Sequence, residues 1–363
     1  MSFNINKNTI IYFPLVPNVS TGGPEAIHRL AYFLRTEHSL NVEIFYFPKT
    51  DKYPVHEEYI KYNNKFTENI IDDEDNILIL PDFVKHLSLK KNYPKIQKCI
   101  WWLSVDFFYT GIYENIFGYY KYKFINNKVS FINYINNFFP VIKHTDLPNE
   151  CLKKLKKLDI SNLEIIKDVN THFCQSHYAF QWLQKFNINN KTMLTDFFDD
   201  HILNIDFDNF NKENIIVYNP SKGMSFTRHL LKKYNNFVFI PIRNLNKEGV
   251  INLLKKSKIY IDFGNHPGRD RLPREAALCG CCIITSKRGS ADYYEDVPIP
   301  NHYKFSDTYN NIDNIQILIN DILLNYDFHV KEFQEYRTFC KQINNITTKQ
   351  ISSILLNTIE THG

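Results

Sequence analysis

I-Y-I-D-F-G-N-H-P-G-R-D-R-L-P-R-E-A-A-L-C-G-C-C-I-I-T, residues Ile259 to Thr285, opens with an apolar run and closes with another. Ile259 to Phe263 reads as a strand. A loop rich in Gly and Arg follows, and Pro273 stands where a helix would begin, a position that tolerates its missing N–H. Gly280 is placed to end that helix, and Cys281 to Thr285 reads as the next strand. The loop Gly264 to Leu272 therefore joins the carboxyl end of a strand to a helix N-terminus. In parallel α/β sheets ligands bind there, and a helix N-terminus favours anions. Arg269, Arg271 and Arg274 surround the loop, and Glu275 falls in the first helical turn. Guanidinium groups and backbone N–H suit a diphosphate, and a carboxylate suits ribose hydroxyls. The competing reading is an ordinary strand-to-helix turn with a solvated basic face.

Outward from this stretch the same alternation recurs. Thr9 to Val16, Val42 to Phe47, Asn76 to Leu80, Cys99 to Ser104, His172 to Gln175 and Met193 to Asp196 read as strands. Helices are expected from about Glu25 to Glu37, with Ile27, Leu30, Ala31 and Leu34 on one face, and from His177 to Lys185. The pattern restarts with strands Ile215 to Tyr218 and Phe237 to Ile242 and helices Ser225 to Lys233 and Lys247 to Lys256. Short apolar runs alternating with helices indicate parallel sheets. The polar segment Phe197 to Glu213 reads as a linker. From Asn311 on the chain reads as helices, with apolar positions Ile315, Ile317, Leu318, Ile322 and Leu323.

The chain has 363 residues, enough for two domains with full cores, and a formal net charge of +4. So mild a charge argues against a dedicated nucleic-acid binder. The abundance of Asn, Lys, Ile, Tyr and Phe reads as AT-rich coding. Of seven cysteines, Cys279, Cys281 and Cys282 cluster without metal-ligand spacing. They read as buried, reduced thiols. The N-terminus lacks the apolar core of a signal peptide, and no apolar run is long enough to span a bilayer. A cytoplasmic protein, or one at the cytoplasmic face of the membrane, is expected.

Four further constellations carry chemistry. Gly22 and Gly23, in the turn before the first helix, either let backbone approach a ligand or supply positive φ for a tight turn. Tyr218-Asn219-Pro220-Ser221-Lys222-Gly223 follows a strand, and Lys222 there suits a phosphate; Arg243 falls at the same sheet edge. Asp106 follows the strand containing Trp101 and Trp102. It is either a general base or sugar-hydroxyl partner, or a turn cap, and the tryptophans either stack on sugar or lie in the core. Cys151 to Leu158, with leucines spaced by three and paired lysines, is either a basic amphipathic helix on an anionic membrane or a solvated face.

These turns, in this order, resemble the GT-B glycosyltransferases, in particular the group 1 (retaining) enzymes of bacterial surface polysaccharide synthesis. The resemblance runs over most of the chain and is most specific from Lys258 to Pro298. It implies two Rossmann-like domains facing each other across a cleft: an acceptor-side domain at residues 1–200, a donor domain at 201–325, and C-terminal helices at 326–363 packing back toward the first domain. Gly22-Gly23-Pro24-Glu25 looks like the family's glycine loop, with Glu25 and Asp106 as candidate catalytic residues. Lys222-Gly223 looks like the Lys-Gly that contacts the donor diphosphate, and Glu275-Ala276 like the second glutamate of the pair that holds the ribose. Asn219, Arg243, Gly264, His266, Arg269 and Arg271 complete the implied donor site. Two positions depart from the pattern. Pro267 stands where the first glutamate is found, eight residues before Glu275, and Val217 where an arginine precedes the lysine by five. Retention or inversion is thereby left open. The resemblance implies a nucleotide diphosphate-sugar donor, a glycan or lipid-linked acceptor of capsule, O-antigen or lipooligosaccharide type, contact with the inner membrane surface, and neither cofactor nor metal. A nucleotide-sugar epimerase and a non-catalytic sugar-nucleotide-binding subunit are the alternatives.

Overall fold

The structure is a computed structural model that describes residues 3–109, 111, 164–234 and 236–356. The basic run Cys151 to Leu158 and the Asn-rich patch Tyr134 to Phe138 lie outside the described residues. The chain forms two compact units, one of residues 1–197 and 346–363, the other of 198–345.

The first unit is built on seven parallel strands: β1 (Ile10–Leu15), β2 (Asn41–Tyr46), β3 (Phe66–Thr67), β4 (Ile77–Pro81), β5 (Gln97–Trp102), β6 (Thr171–Cys174) and β7 (Lys191–Met193). Their order is β3-β2-β1-β4-β5-β6-β7. Strands buried on both faces read as continuous apolar runs, as β4 (ILILP) does. Ile11, Phe13, Ile79, Trp101 and Phe173 pack with Ala26, Ile27, Leu30 and Leu34 of the helix Gly22–Glu37. Ile351 and Leu355 from the C-terminal end of the chain join this core. β7 ends at Met193, before the run Leu194 to Asp196 that reads as strand. The Leu194 carbonyl accepts the Trp101 indole N–H at 2.9 Å. The Thr195 N–H donates to Gln350 Oε1 at 2.8 Å. The Leu194 N–H still donates to the Cys174 carbonyl at 2.9 Å; beyond it the polar groups are satisfied by side chains, so the ladder ends there.

The second unit has five parallel strands: β8 (Glu213–Tyr218), β9 (Val238–Pro241), β10 (Ser257–Asp262), β11 (Cys282–Ser286) and β12 (Lys304–Phe305). Their order is β12-β11-β10-β8-β9. Ile216, Val217, Tyr260, Ile261, Ile283 and Ile284 form the sheet's part of the core. The segment Phe197 to Glu213 is not a solvated linker. Phe198, Ile202, Leu203 and Ile205 are buried in this core, and Asp199 caps the short helix Asp200–Leu203. Its acidic residues masked an apolar set at irregular spacing. The helix Ile312–Leu324 buries Ile315, Ile319 and Ile322, whereas Ile317 is 65% exposed and faces away from the core. The six described cysteines are free and buried. Among the described residues no helix is long and apolar enough to cross a membrane.

Candidate functional site

In each sheet the strand order fixes where a ligand can enter. β8 is flanked by β9 on one side and by β10 on the other. Successive crossovers therefore leave β8 in opposite directions, and the crevice between the carboxyl ends of β8 and β10 is a topological switch point. Lys222 follows β8 and the loop from Gly264 to Asp270 follows β10, so the sheet itself brings them together.

The two loops interlock. Gly223 has φ +66°, and a Cβ on it would lie 2.4 Å from the Gly264 nitrogen. A Cβ on Gly264 would lie 2.5 Å from Lys222 Cγ. Only glycine at both places lets the Lys222 stem pass across the second loop. Asn219 Oδ1 accepts the Ser221 N–H at 2.9 Å and shapes the turn ahead of it.

At the end of that stem lies a polar cluster. Lys222 Nζ is 3.1 Å from Asp262 Oδ2 and 2.5 Å from Asp270 Oδ2, and donates to the Asn265 carbonyl at 3.1 Å. Burial alone would lower the ammonium's pKa. Asp262 and Asp270 outweigh it and hold the pKa above its ordinary value. Asp270 is likewise raised by burial, and Lys222 and His266 bring it below the carboxylate range. His266 is buried, with Nδ1 3.0 Å from Asp270 Oδ2 and Nε2 3.0 Å from the Thr285 hydroxyl. The Gly264 N–H donates to Asp262 Oδ1 at 3.1 Å, and the Tyr260 hydroxyl to Asp262 Oδ2 at 2.7 Å. Sequence reading found Lys222 and His266 but missed Asp262 and Asp270. They stood in plain view in I-Y-I-D-F-G and G-R-D-R, without spacing that ties them to Lys222.

The positive charge of the loop is more committed than the sequence implied. Arg269 is buried, with Nε donating to Asp296 Oδ1 at 3.0 Å. Arg271 Nη2 donates to Glu275 Oε1 at 2.9 Å. Arg274 is buried and its Nη2 donates to the Arg269 carbonyl at 2.8 Å, bracing the loop. Arg243, just past β9, is exposed. Arg288, to which sequence reading gave no role, pairs with Asp307 and donates from Nη1 to Asn265 Oδ1 at 3.3 Å. The helix itself runs Arg271–Leu278. Pro273 is therefore its third residue and Glu275 its fifth, each two residues further in than expected.

Asp262, His266 and Asp270 also form a group whose ligand atoms lie within 4.8 Å of one another, close enough for a metal ion. Lys222 is the argument against one. Its ammonium already donates to both carboxylates, and a divalent ion beside it would meet a fixed positive charge.

In the first unit the switch point falls between β1 and β4. Gly22 and Gly23 are the first two residues of the helix after β1, and neither has positive φ. The tight-turn reading is thus set aside. A Cβ on Gly22 would meet nothing within 4 Å, so the helix N-terminus is open. Glu25, on that helix, pairs with Arg29 at 3.1 Å. Asp106 is buried in the helical stretch after β5 and accepts from the Tyr178 hydroxyl at 3.0 Å. It is not the cap, because Ser104 Oγ takes the Phe107 N–H at 3.3 Å. Trp101 and Trp102 are core residues, and the Trp102 indole donates to His172 Nδ1 at 3.0 Å. Neither is placed to stack on a sugar.

Sequence reading also missed Asp82, directly after β4. Its Oδ2 accepts the Ser104 N–H at 2.6 Å, and burial pushes its carboxyl up to about 8 against the opposing backbone N–H groups. A lone Asp behind Pro81 gave no signal.

With this geometry in hand the chain can be set beside known proteins. No protein-family model and no curated protein matches it. Anabaena HepE in complex with UDP is similar at TM-score 0.58 and 9% identity, over 95% of this chain and 100% of that one. Sucrose-phosphate synthase from Thermosynechococcus elongatus is similar at 0.58 and 11%, over 94% and 97%. The lipopolysaccharide outer core galactosyltransferase WaaB is similar at 0.57 and 11%, over 97% and 99%. The chain has the GT-B fold. At such identities the likeness is one of architecture, and it extends over nearly the whole length of each chain.

Proposed function

We propose that the protein is a glycosyltransferase that moves a sugar from a nucleotide diphosphate-sugar to a glycan or lipid-linked acceptor. The observation that carries this reading is the interlocked pair of loops at the switch point between β8 and β10. There the helices that begin at Met224 and Arg271 both start at the carboxyl edge of the sheet. Helix N-termini and close-approaching glycine backbone suit a diphosphate. The fold agrees, since HepE is known in complex with UDP-glucose at TM-score 0.58 over 96% of this chain.

In this reading Lys222, Gly223, Gly264 and Asn219 hold the diphosphate region, with Arg243 and Arg271 at its edge. His266 and Arg269 keep the loop in shape, and Glu275 takes the ribose hydroxyls once Arg271 turns to phosphate. Developing charge on the leaving diphosphate is met by basic side chains and helix N-termini. A surface-polysaccharide acceptor at the cytoplasmic face of the membrane belongs to the same proposal. The test is binding and turnover with UDP-, GDP-, dTDP- and CMP-sugars, followed by Glu275→Gln. The variant is expected to stay folded and to lose donor affinity. Donor turnover without any acceptor would replace the reading with an epimerase, and binding without nucleotide release would make it a non-catalytic subunit.

Asp106 is proposed as the group that accepts or orients the acceptor hydroxyl's proton. Asp106→Asn keeps an oxygen for the Tyr178 hydroxyl, so the fold is expected to survive. Turnover is expected to fall ~10²–10⁴-fold with little change in donor affinity. A lower melting temperature with normal turnover per folded molecule would make Asp106 purely structural.

Activity is expected to be unchanged by a chelator, because Lys222 supplies the positive charge at Asp262 and Asp270. Activity lost on chelation and restored by magnesium or manganese would move those two carboxylates and His266 into a metal centre.

A further inference from the structure

The second unit has another polar hollow, at the opposite edge of its sheet. A cavity of about 1040 Å³ is lined by Lys212, Lys258, Lys331 and Arg337, among aromatic walls that include Phe207 and Phe328. Lys212 precedes β8, and its Nζ donates to the carbonyls of Leu254 (3.0 Å), Ser257 (2.8 Å) and Cys279 (2.6 Å) at the amino ends of neighbouring strands. The donor loops stand at the carboxyl ends, roughly 20 Å away at about 3.3 Å per residue of β8.

Arg337 is the unusual member. It is 3% exposed, and the ring of Phe207 lies 4.5 Å from its guanidinium carbon. Nη2 donates to Gln334 Oε1 at 3.1 Å, whereas Nε and Nη1 have no acceptor. Among the described residues no carboxylate pairs with Arg337, Lys212, Lys258 or Lys331. Asp208 and Asp327 also line the cavity, so four cations there face two carboxylates. A buried guanidinium without a counter-ion is costly, and an anion in the cavity supplies the missing charge. Gln334 lines the same wall and can turn aside to release Nη2. Leu324 and Phe328, at 83% and 66% exposure, stand on its rim and offer apolar contact beside the charge.

We propose that this cavity binds a phosphate group, carried by a small phosphorylated metabolite or by an anionic lipid headgroup, at a site separate from the donor site. The test uses the full chain with two probes: inorganic phosphate, followed by calorimetry at constant ionic strength, and phosphatidylglycerol vesicles, followed by co-sedimentation against phosphatidylcholine vesicles. Lys331 is exposed, so Lys331→Glu is expected to fold normally and to weaken the probe that binds by at least about tenfold, the factor for 1.4 kcal/mol. Arg337→Gln is expected to abolish that binding while nucleotide-diphosphate affinity is kept; Lys222→Ala is expected to do the reverse. Phosphate alone would assign a soluble ligand, and vesicles alone a lipid headgroup. Binding of neither probe by the unaltered chain, or unchanged affinity in Lys331→Glu, overturns the proposal. That outcome leaves the donor-site reading intact, because the latter is read on nucleotide binding.

Discussion

Replacing Lys222 with alanine is expected to destabilise the second unit by about 3–5 kcal/mol, the cost of leaving a buried charge uncompensated. The ammonium stands against Asp262 and Asp270 at once, and its removal leaves the buried Asp262 carboxylate, with the partly exposed Asp270, beside His266. The loss should show as a lower urea midpoint for the 198–345 unit. Adding Asp262→Asn and Asp270→Asn to the same chain should recover much of it, because the triple variant buries no unpaired charge. Nucleotide-diphosphate affinity is a separate readout. Measured on the folded fraction, it should weaken by about 1.5–3 kcal/mol and stay weak in the triple variant. Unaltered stability in Lys222→Ala would mean that the cluster does not hold together in solution, and unaltered affinity would remove Lys222 from the donor site.

The first unit is expected to be most stable near pH 6.5 and to weaken on both sides. Burial lowers His28, His86 and His172 to about 4, from an ordinary value near 6.5. The sign follows from counting protons. Between pH 4 and 6.5 the unfolded chain protonates all three imidazoles and the folded chain does not, so stability falls as pH falls. His172 shows why. Its Nδ1 accepts the Trp102 indole N–H, and a protonated ring has no lone pair to offer. Asp82 acts in the opposite sense, because at about 8 it keeps its proton in the folded unit over a range where the unfolded chain has lost it. Three protons gained on unfolding against one released leave two, or roughly 3 kcal/mol per pH unit below pH 6.5. By pH 5 that is roughly 4 kcal/mol, a large part of a domain's usual 5–15 kcal/mol. Above pH 6.5 the three histidines no longer change while Asp82 still does, and its contribution should fall by about 1 kcal/mol per pH unit up to pH 8. Calorimetric scans from pH 4.5 to 8 check both limbs. Asp82→Asn should flatten the upper limb alone, and a melting temperature that climbs toward acid would contradict the assignment of the histidines.

The fold was legible because parallel strands covered on both faces are short apolar runs bounded by Gly, Pro and polar residues, and nearly all of them read that way. β3 and β12 were not, because two-residue edge pairings carry no pattern. The start of the helix at Arg271 was hidden by Pro273, which is tolerated throughout the first turn and so marks it only loosely. At the site, residue types were visible and partnerships mostly were not. The Arg271–Glu275 pair could be read from its i,i+4 spacing. The link from Lys222 to Asp262 and Asp270 depends on β8 and β10 lying side by side, which no local spacing states. For Trp101 and Trp102 the sequence left sugar stacking and core burial both open, and burial in the core is what the sheet shows. Aromatic residues beside a carboxylate fit a sugar platform or a core equally well, and only the packing of the sheet decides between them.

The buried thiols make the protein its own unfolding clock. Cys99 and Cys174 lie in the first unit and Cys279, Cys281, Cys282 and Cys340 in the second. Burial raises the pKa of Cys99, Cys279, Cys281 and Cys282, and pushes Cys340 up to about 12. A thiolate-directed reagent therefore reacts only with molecules that have opened. In a Cys151→Ser background, peptide-resolved alkylation would report how often each unit opens, in one tube.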